Sequence, residues 1–123
     1  MNRRKFLAVI LCGSLTMPLP ASARANAYII YIDAANCSTC RAFNRHGLAA
    51  LQSTAAAHGY GVKRVNVRSF QNMGEDAAWP QNLKTIRNQM QSTSGAPRFL
   101  VVYNNKLYRD FLGSDGAFEY FAH

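Results

Sequence analysis

The stretch Tyr28-Ile-Ile-Tyr-Ile-Asp-Ala-Ala-Asn-Cys-Ser-Thr-Cys-Arg41 joins an apolar run to two cysteines separated by two residues. Residues 27–33 are β-branched and aromatic and apolar on both faces, the pattern of a strand buried in the middle of a sheet. Asn36 is a good N-cap for a helix beginning at Cys37. That placement matters more than the spacing. It puts the first sulfur at a helix N-terminus, where unpaired backbone N–H groups and the helix dipole favour a thiolate. A thiolate so placed can attack a disulfide, and the second cysteine can then resolve the mixed disulfide.

Working outward, Cys40, Phe43, Gly47, Leu48, Leu51 and Ala55 recur at three- and four-residue steps and predict one apolar helix face. His58-Gly59 ends that helix with plausible C-cap chemistry. A second strand is expected over 61–67, a polar mobile loop over 68–78, and a second helix over 79–92 with Pro80 in its first turn. Strands over 97–103 and 106–112 flank an Asn104-Asn105 turn, and Asp115 caps a short final helix to about residue 121. The order is β-α-β-α-β-β-α. A crossover forces the first two strands parallel and the hairpin makes the last two antiparallel, so the expected architecture is α/β, a four-stranded mixed sheet flanked by helices.

The chain has 123 residues and a formal charge of +8. Met1-Asn-Arg-Arg-Lys5 is a basic n-region, 6–17 an apolar h-region, and Ala21-Ser-Ala23 and Ala23-Arg-Ala25 both fit small-x-small cleavage sites. The expectation is a cleaved signal peptide over 1–25 and one domain over 26–123. The apolar run is too short for a bilayer-spanning helix. Cys12 would leave with the signal, so Cys37 and Cys40 become the only two thiols. From Asn26 onward ten Lys/Arg face six Asp/Glu, or +4, spread along the chain without interleaved stacking aromatics. Nucleic-acid binding therefore has no support. A disulfide between Cys37 and Cys40 closes too short a loop to be explained as a structural staple.

These features resemble the thioredoxin superfamily in its minimal form over 27–123: Cys37-Ser-Thr-Cys40 after the first strand, Ala96-Pro97 before the third, and Gly113 after the fourth. With Trp79-Pro80, the layout is similar to small exported thioredoxin-like proteins associated with bacterial sulfur oxidation. The resemblance implies a periplasmic thiol-disulfide oxidoreductase, with Cys37 and Cys40 as the redox-active pair and no further cofactor. It implies a substrate-binding site of Ser38, Thr39, Ala96 and Pro97, with Pro97 cis and facing the cysteines, Ala96 offering backbone hydrogen bonds to substrate, and the Ser38 and Thr39 hydroxyls also tuning the thiolate. Its partners would be a periplasmic protein disulfide or thiol and a membrane redox partner, and a monomer is expected. There are departures. Asn36 stands where thioredoxins place Trp, and Tyr31 stands near their buried acid. Asp33 lies close to that acid's position, leaving open whether it assists proton transfer.

Two rival readings use the same residues. Cys37 and Cys40 are soft ligands suited to a copper carrier, but His46 lies nearly two helical turns beyond Cys40 and no second CxxC exists. Arg41 follows Cys40 where haem attachment needs His; near a thiolate it is a candidate for electrostatic support. His58 and His123 are read as solvated. The second rival is a non-catalytic interaction domain, with Phe70, Trp79 and Tyr108 as its candidate docking surface.

Overall fold

The computed structural model describes residues 26–122, so the expected signal segment over 1–25 and His123 lie outside the described residues. Strand β1 (Ala27–Ala34) is followed by helices α1 (Ser38–His46) and α2 (Leu48–Ala57), then strand β2 (Gly61–Val67). Two single 3-10 turns (Asp76–Ala78 and Gln81–Leu83) lead into the short helix α3 (Lys84–Arg87). Strands β3 (Arg98–Tyr103) and β4 (Lys106–Leu112) and helix α4 (Ser114–Ala122) complete the chain. The sheet order is β2-β1-β3-β4, with β1 parallel to β2 and the other pairs antiparallel. This is a small thioredoxin-like α/β fold. No helix among the described residues is long and apolar enough to cross a membrane.

β1 sits inside the sheet, and every one of its side chains is buried. Its two faces feed two cores. Ile30, Ile32 and Ala34 pack with Val65, Leu100, Trp79, Leu83 and Ile86 on one side. Ile29 and Tyr31 pack with Phe43, Leu51, Phe99, Val101 and Phe121 on the other. Asn104 and Asn105 both take positive φ, the geometry of a tight two-residue hairpin turn.

Three expectations about helices are corrected. The first helix starts at Ser38, and Cys37 rather than Asn36 is its N-cap. Cys37 has an extended backbone, and its Sγ accepts the Cys40 backbone N–H at 3.0 Å. The predicted single helix is also two, parted at Gly47. Gly47 leaves helical geometry at φ −123°, and a Cβ there would lie 2.6 Å from two ring atoms of Phe43. The second predicted helix shrinks to α3. Trp79, ahead of Pro80, is held extended, as the clash with a following proline ring demands. Downstream, Gln89 accepts the Leu107 N–H at 2.8 Å and donates to the Asn105 carbonyl at 3.0 Å, drawing the chain onto the β3–β4 hairpin.

Candidate functional site

Cys37 and Cys40 are joined by a disulfide across the first turn of α1, with Cα atoms 5.2 Å apart. The two sulfurs are placed differently. Cys40 is wholly enclosed, whereas Cys37 keeps 6% of its surface and lines an open groove of about 370 Å3. The groove floor is Asn36, Cys37, Ser38 and Thr39. Phe70 lines it too, with Gly95, Ala96 and Leu112. The Ala96–Pro97 bond is cis. Of the residues the resemblance assigned to substrate, Ser38, Thr39 and Ala96 reach the groove, while Pro97 is buried.

The chain braces this groove from several directions. The Asn36 Oδ1 accepts the Phe70 N–H at 3.0 Å, and its Nδ2 donates to Ser69 Oγ at 3.3 Å. Gly95 N–H donates to the Phe70 carbonyl at 2.7 Å. The buried Arg98 donates to Asp110 at 2.9 Å and also to the Ser94 carbonyl, steadying the approach to Ala96. The loop expected to be mobile is fastened at several points: Met73 is fully buried, Trp79 Nε1 donates to its carbonyl at 2.9 Å, and Arg68 pairs with Glu75 at 2.7 Å.

On the face of β1 that packs against Phe43, opposite the core that holds both cysteines, lies a polar chain that sequence reasoning found only in outline. The Tyr31 hydroxyl donates to Asn44 Oδ1 at 2.7 Å and lies 3.4 Å from the Cys40 carbonyl. Asn44 Nδ2 and Arg64 each donate to Asp33 Oδ2 at 3.2 Å. Asp33 Oδ1 is buried with no hydrogen-bond partner among the described residues. Burial first, and the nearby Asp33 charge second, push the Tyr31 hydroxyl well above its ordinary range, against an opposing pull from Arg64. Tyr31 is therefore a proton-bearing donor at neutral pH, not an acid standing in for a carboxylate. Asp33 and Tyr31 are two residues apart on one strand, so alternation aims them at the same face.

The rival residues are dispersed. Among the described residues no three His, Cys, Asp or Glu side chains gather to hold a metal ion. His46 is exposed at the end of α1, and His58 caps α2, its ring nitrogen 3.0 Å from the Thr54 carbonyl. Arg41 donates to the Ala35 carbonyl at 3.0 Å. The aromatic trio does not form one surface: Trp79 is buried, Phe70 lines the cysteine groove, and Tyr108 lines a separate cleft with Gln89 and Asp110. Leu112 and the bracing role of Asn36 were missed. At the end of an edge strand Leu112 carries no special pattern, and Asn36 reads locally as a cap. No family model and no curated protein matches the chain.

Proposed function

We propose that the chain is an exported thiol-disulfide oxidoreductase of the thioredoxin kind, which in its dithiol form reduces a disulfide on a partner protein in the periplasm. The supporting observation is the asymmetry of the pair: Cys37 opens on the groove and Cys40 lies beneath it. In the reduced chain the Cys37 thiolate keeps the Cys40 N–H that its sulfur accepts here, a contact that favours the charged form.

Cys37 Sγ attacks one sulfur of the substrate disulfide. A Cys37–substrate disulfide forms, and the other substrate sulfur leaves as a thiolate and takes up a proton. Cys40, deprotonated, then attacks Cys37 Sγ, closing the Cys37–Cys40 disulfide and releasing the second substrate thiol. The substrate gains two electrons and the chain loses two. A dithiol donor on a membrane protein returns the chain to its reduced form by the same exchange in reverse.

The test uses prereduced protein freed of reductant, mixed with glutathione disulfide, with released thiol quantified. The unaltered chain releases thiol and forms its internal disulfide. Cys37→Ser abolishes release, and Cys40→Ser stops at a mixed disulfide visible by mass. Full activity in Cys37→Ser ends this reading. A midpoint potential near about −270 mV fits a reductant, whereas one near about −120 mV marks a disulfide donor.

A further inference from the structure

Among the described residues, Phe70, Tyr103, Tyr108 and Leu112 are the large hydrophobic side chains left exposed. Only Phe70 and Leu112 of these four are pure hydrocarbon, and both line the groove that holds Cys37. They reach it from opposite edges of the sheet, Phe70 from the segment after β2 and Leu112 from the end of β4. Their exposures, 41% and 63%, leave much of each side chain open to solvent. Two segments far apart in the sequence thus place hydrocarbon in the groove that holds Cys37.

Their placement is built. The backbone of Phe70 is held at both ends, its N–H by Asn36 and its carbonyl by Gly95. Leu112 lies over Gly95, where a Cβ would come 3.1 Å from Leu112 Cδ1. The same glycine thus meets both segments, the Phe70 backbone and the Leu112 side chain, one residue before Ala96. Among the described residues none that lines this groove is charged.

Resting on the thiol-disulfide reading, we propose that Phe70 and Leu112 are specificity jaws. They select an extended segment of a partner protein whose disulfide-bonded cysteine is flanked by apolar, uncharged side chains. Asn36 is the positioning residue that holds the Phe70 jaw beside Cys37. The flanking side chains cover the jaws while the substrate sulfur is presented to Cys37 Sγ, and the exchange itself is the one written above.

The probes are two short peptides, each linked through its single cysteine to glutathione, one with leucine on both sides of the cysteine and one with serine. Prereduced full chain is mixed with each, and second-order rates of thiol release are compared. The unaltered chain favours the leucine peptide by about tenfold, the scale of a well-buried apolar anchor. In Phe70→Ser and in Leu112→Ser that ratio falls toward unity, whereas Tyr108→Ser, outside the groove, keeps it. Asn36→Ala lowers the ratio, and Asn36→Asp, which retains an acceptor for the Phe70 N–H, restores it. Equal rates for the two peptides, or an unchanged ratio in both jaw variants, overturn the proposal while leaving the oxidoreductase reading intact. Failure to react with either peptide overturns that reading as well. Sedimentation decides a third outcome: a dimer that both jaw variants dissolve, with the ratio unchanged, makes this surface an interface between copies and overturns client selection.

Discussion

Gly47→Ala is the substitution on which backbone and packing arguments disagree in sign. Gly47 has φ −123° and ψ −21°, a negative-φ conformation open to alanine. On backbone grounds alone the change stabilises by about 0.4–1 kcal/mol, because the unfolded chain loses freedom. Packing opposes it. The new Cβ would lie 2.6 Å from both Cδ1 and Cε1 of Phe43, roughly 1 Å inside the ordinary contact distance. The ring has nowhere to retreat, being wedged edge-on against Tyr31 at 5.0 Å and Phe99 at 5.1 Å between centroids. Overpacking of this kind costs about 1–3 kcal/mol, so the net expectation is a loss of about 1–2 kcal/mol. For a domain of this size that lowers Tm by roughly 5–15 °C. Urea unfolding followed by the fluorescence of Trp79, the single tryptophan, reads it directly. Phe43→Leu in the same chain should absorb part of the loss, so that the double variant is less destabilised than the sum of the singles. Unchanged or increased stability in Gly47→Ala would refute the claim that the Phe43 ring is held so firmly that position 47 has no room for a side chain.

Two further outcomes follow from the same contacts. Cys37→Ser and Cys37→Ala both lose the disulfide, but only serine retains an acceptor for the Cys40 N–H; the alanine variant should be less stable by about 1 kcal/mol in urea, and equal midpoints would remove Cys37 from its capping role. Burial, followed by the hydrogen bond with Tyr120, pushes the Tyr60 hydroxyl up from 10.0 to about 12. The folded state thus holds this proton more tightly than the unfolded chain, so its contribution to stability is intact below pH 10 and is lost as pH rises from 10 to 12. Tyr31 and Tyr28 shift in the same direction. Denaturation midpoints should fall across that window, less steeply in Tyr60→Phe; a flat profile in the unaltered chain contradicts the assignment.

The features legible in the sequence are those set by neighbours along the chain. The β1 run, the bounds of β2 and β4, and the Asn104-Asn105 turn depend on side-chain alternation and on φ preferences that a few residues express by themselves. The helical periodicity after Cys40 was equally legible, but the close approach of the Phe43 ring to Gly47 was not, since it depends on where that ring settles against Tyr31 and Phe99. The predicted helix over 79–92 failed for a related reason. The Trp79-Pro80 step was a local warning, whereas the contacts of Gln89 with β4 and the turn join residues 16 and 18 positions apart. Asn36 illustrates the same divide: a suitable cap by its type, it spends its side chain on Ser69 and Phe70, more than thirty positions away.

For the site, sequence alone determined the pair Cys37 and Cys40, their place at the start of a helix, and Ala96-Pro97 ahead of β3, because spacing, helix polarity and strand order are local or topological quantities. Only the tertiary structure decided that Asn44 and Arg64 join Tyr31 and Asp33 in one polar chain, and that Phe70 and Leu112 flank Cys37. Those arrangements join the two edges of the sheet and the loops beyond them. Such long-range juxtapositions exist only once a common core fixes the distances, and no periodicity within a single segment records them.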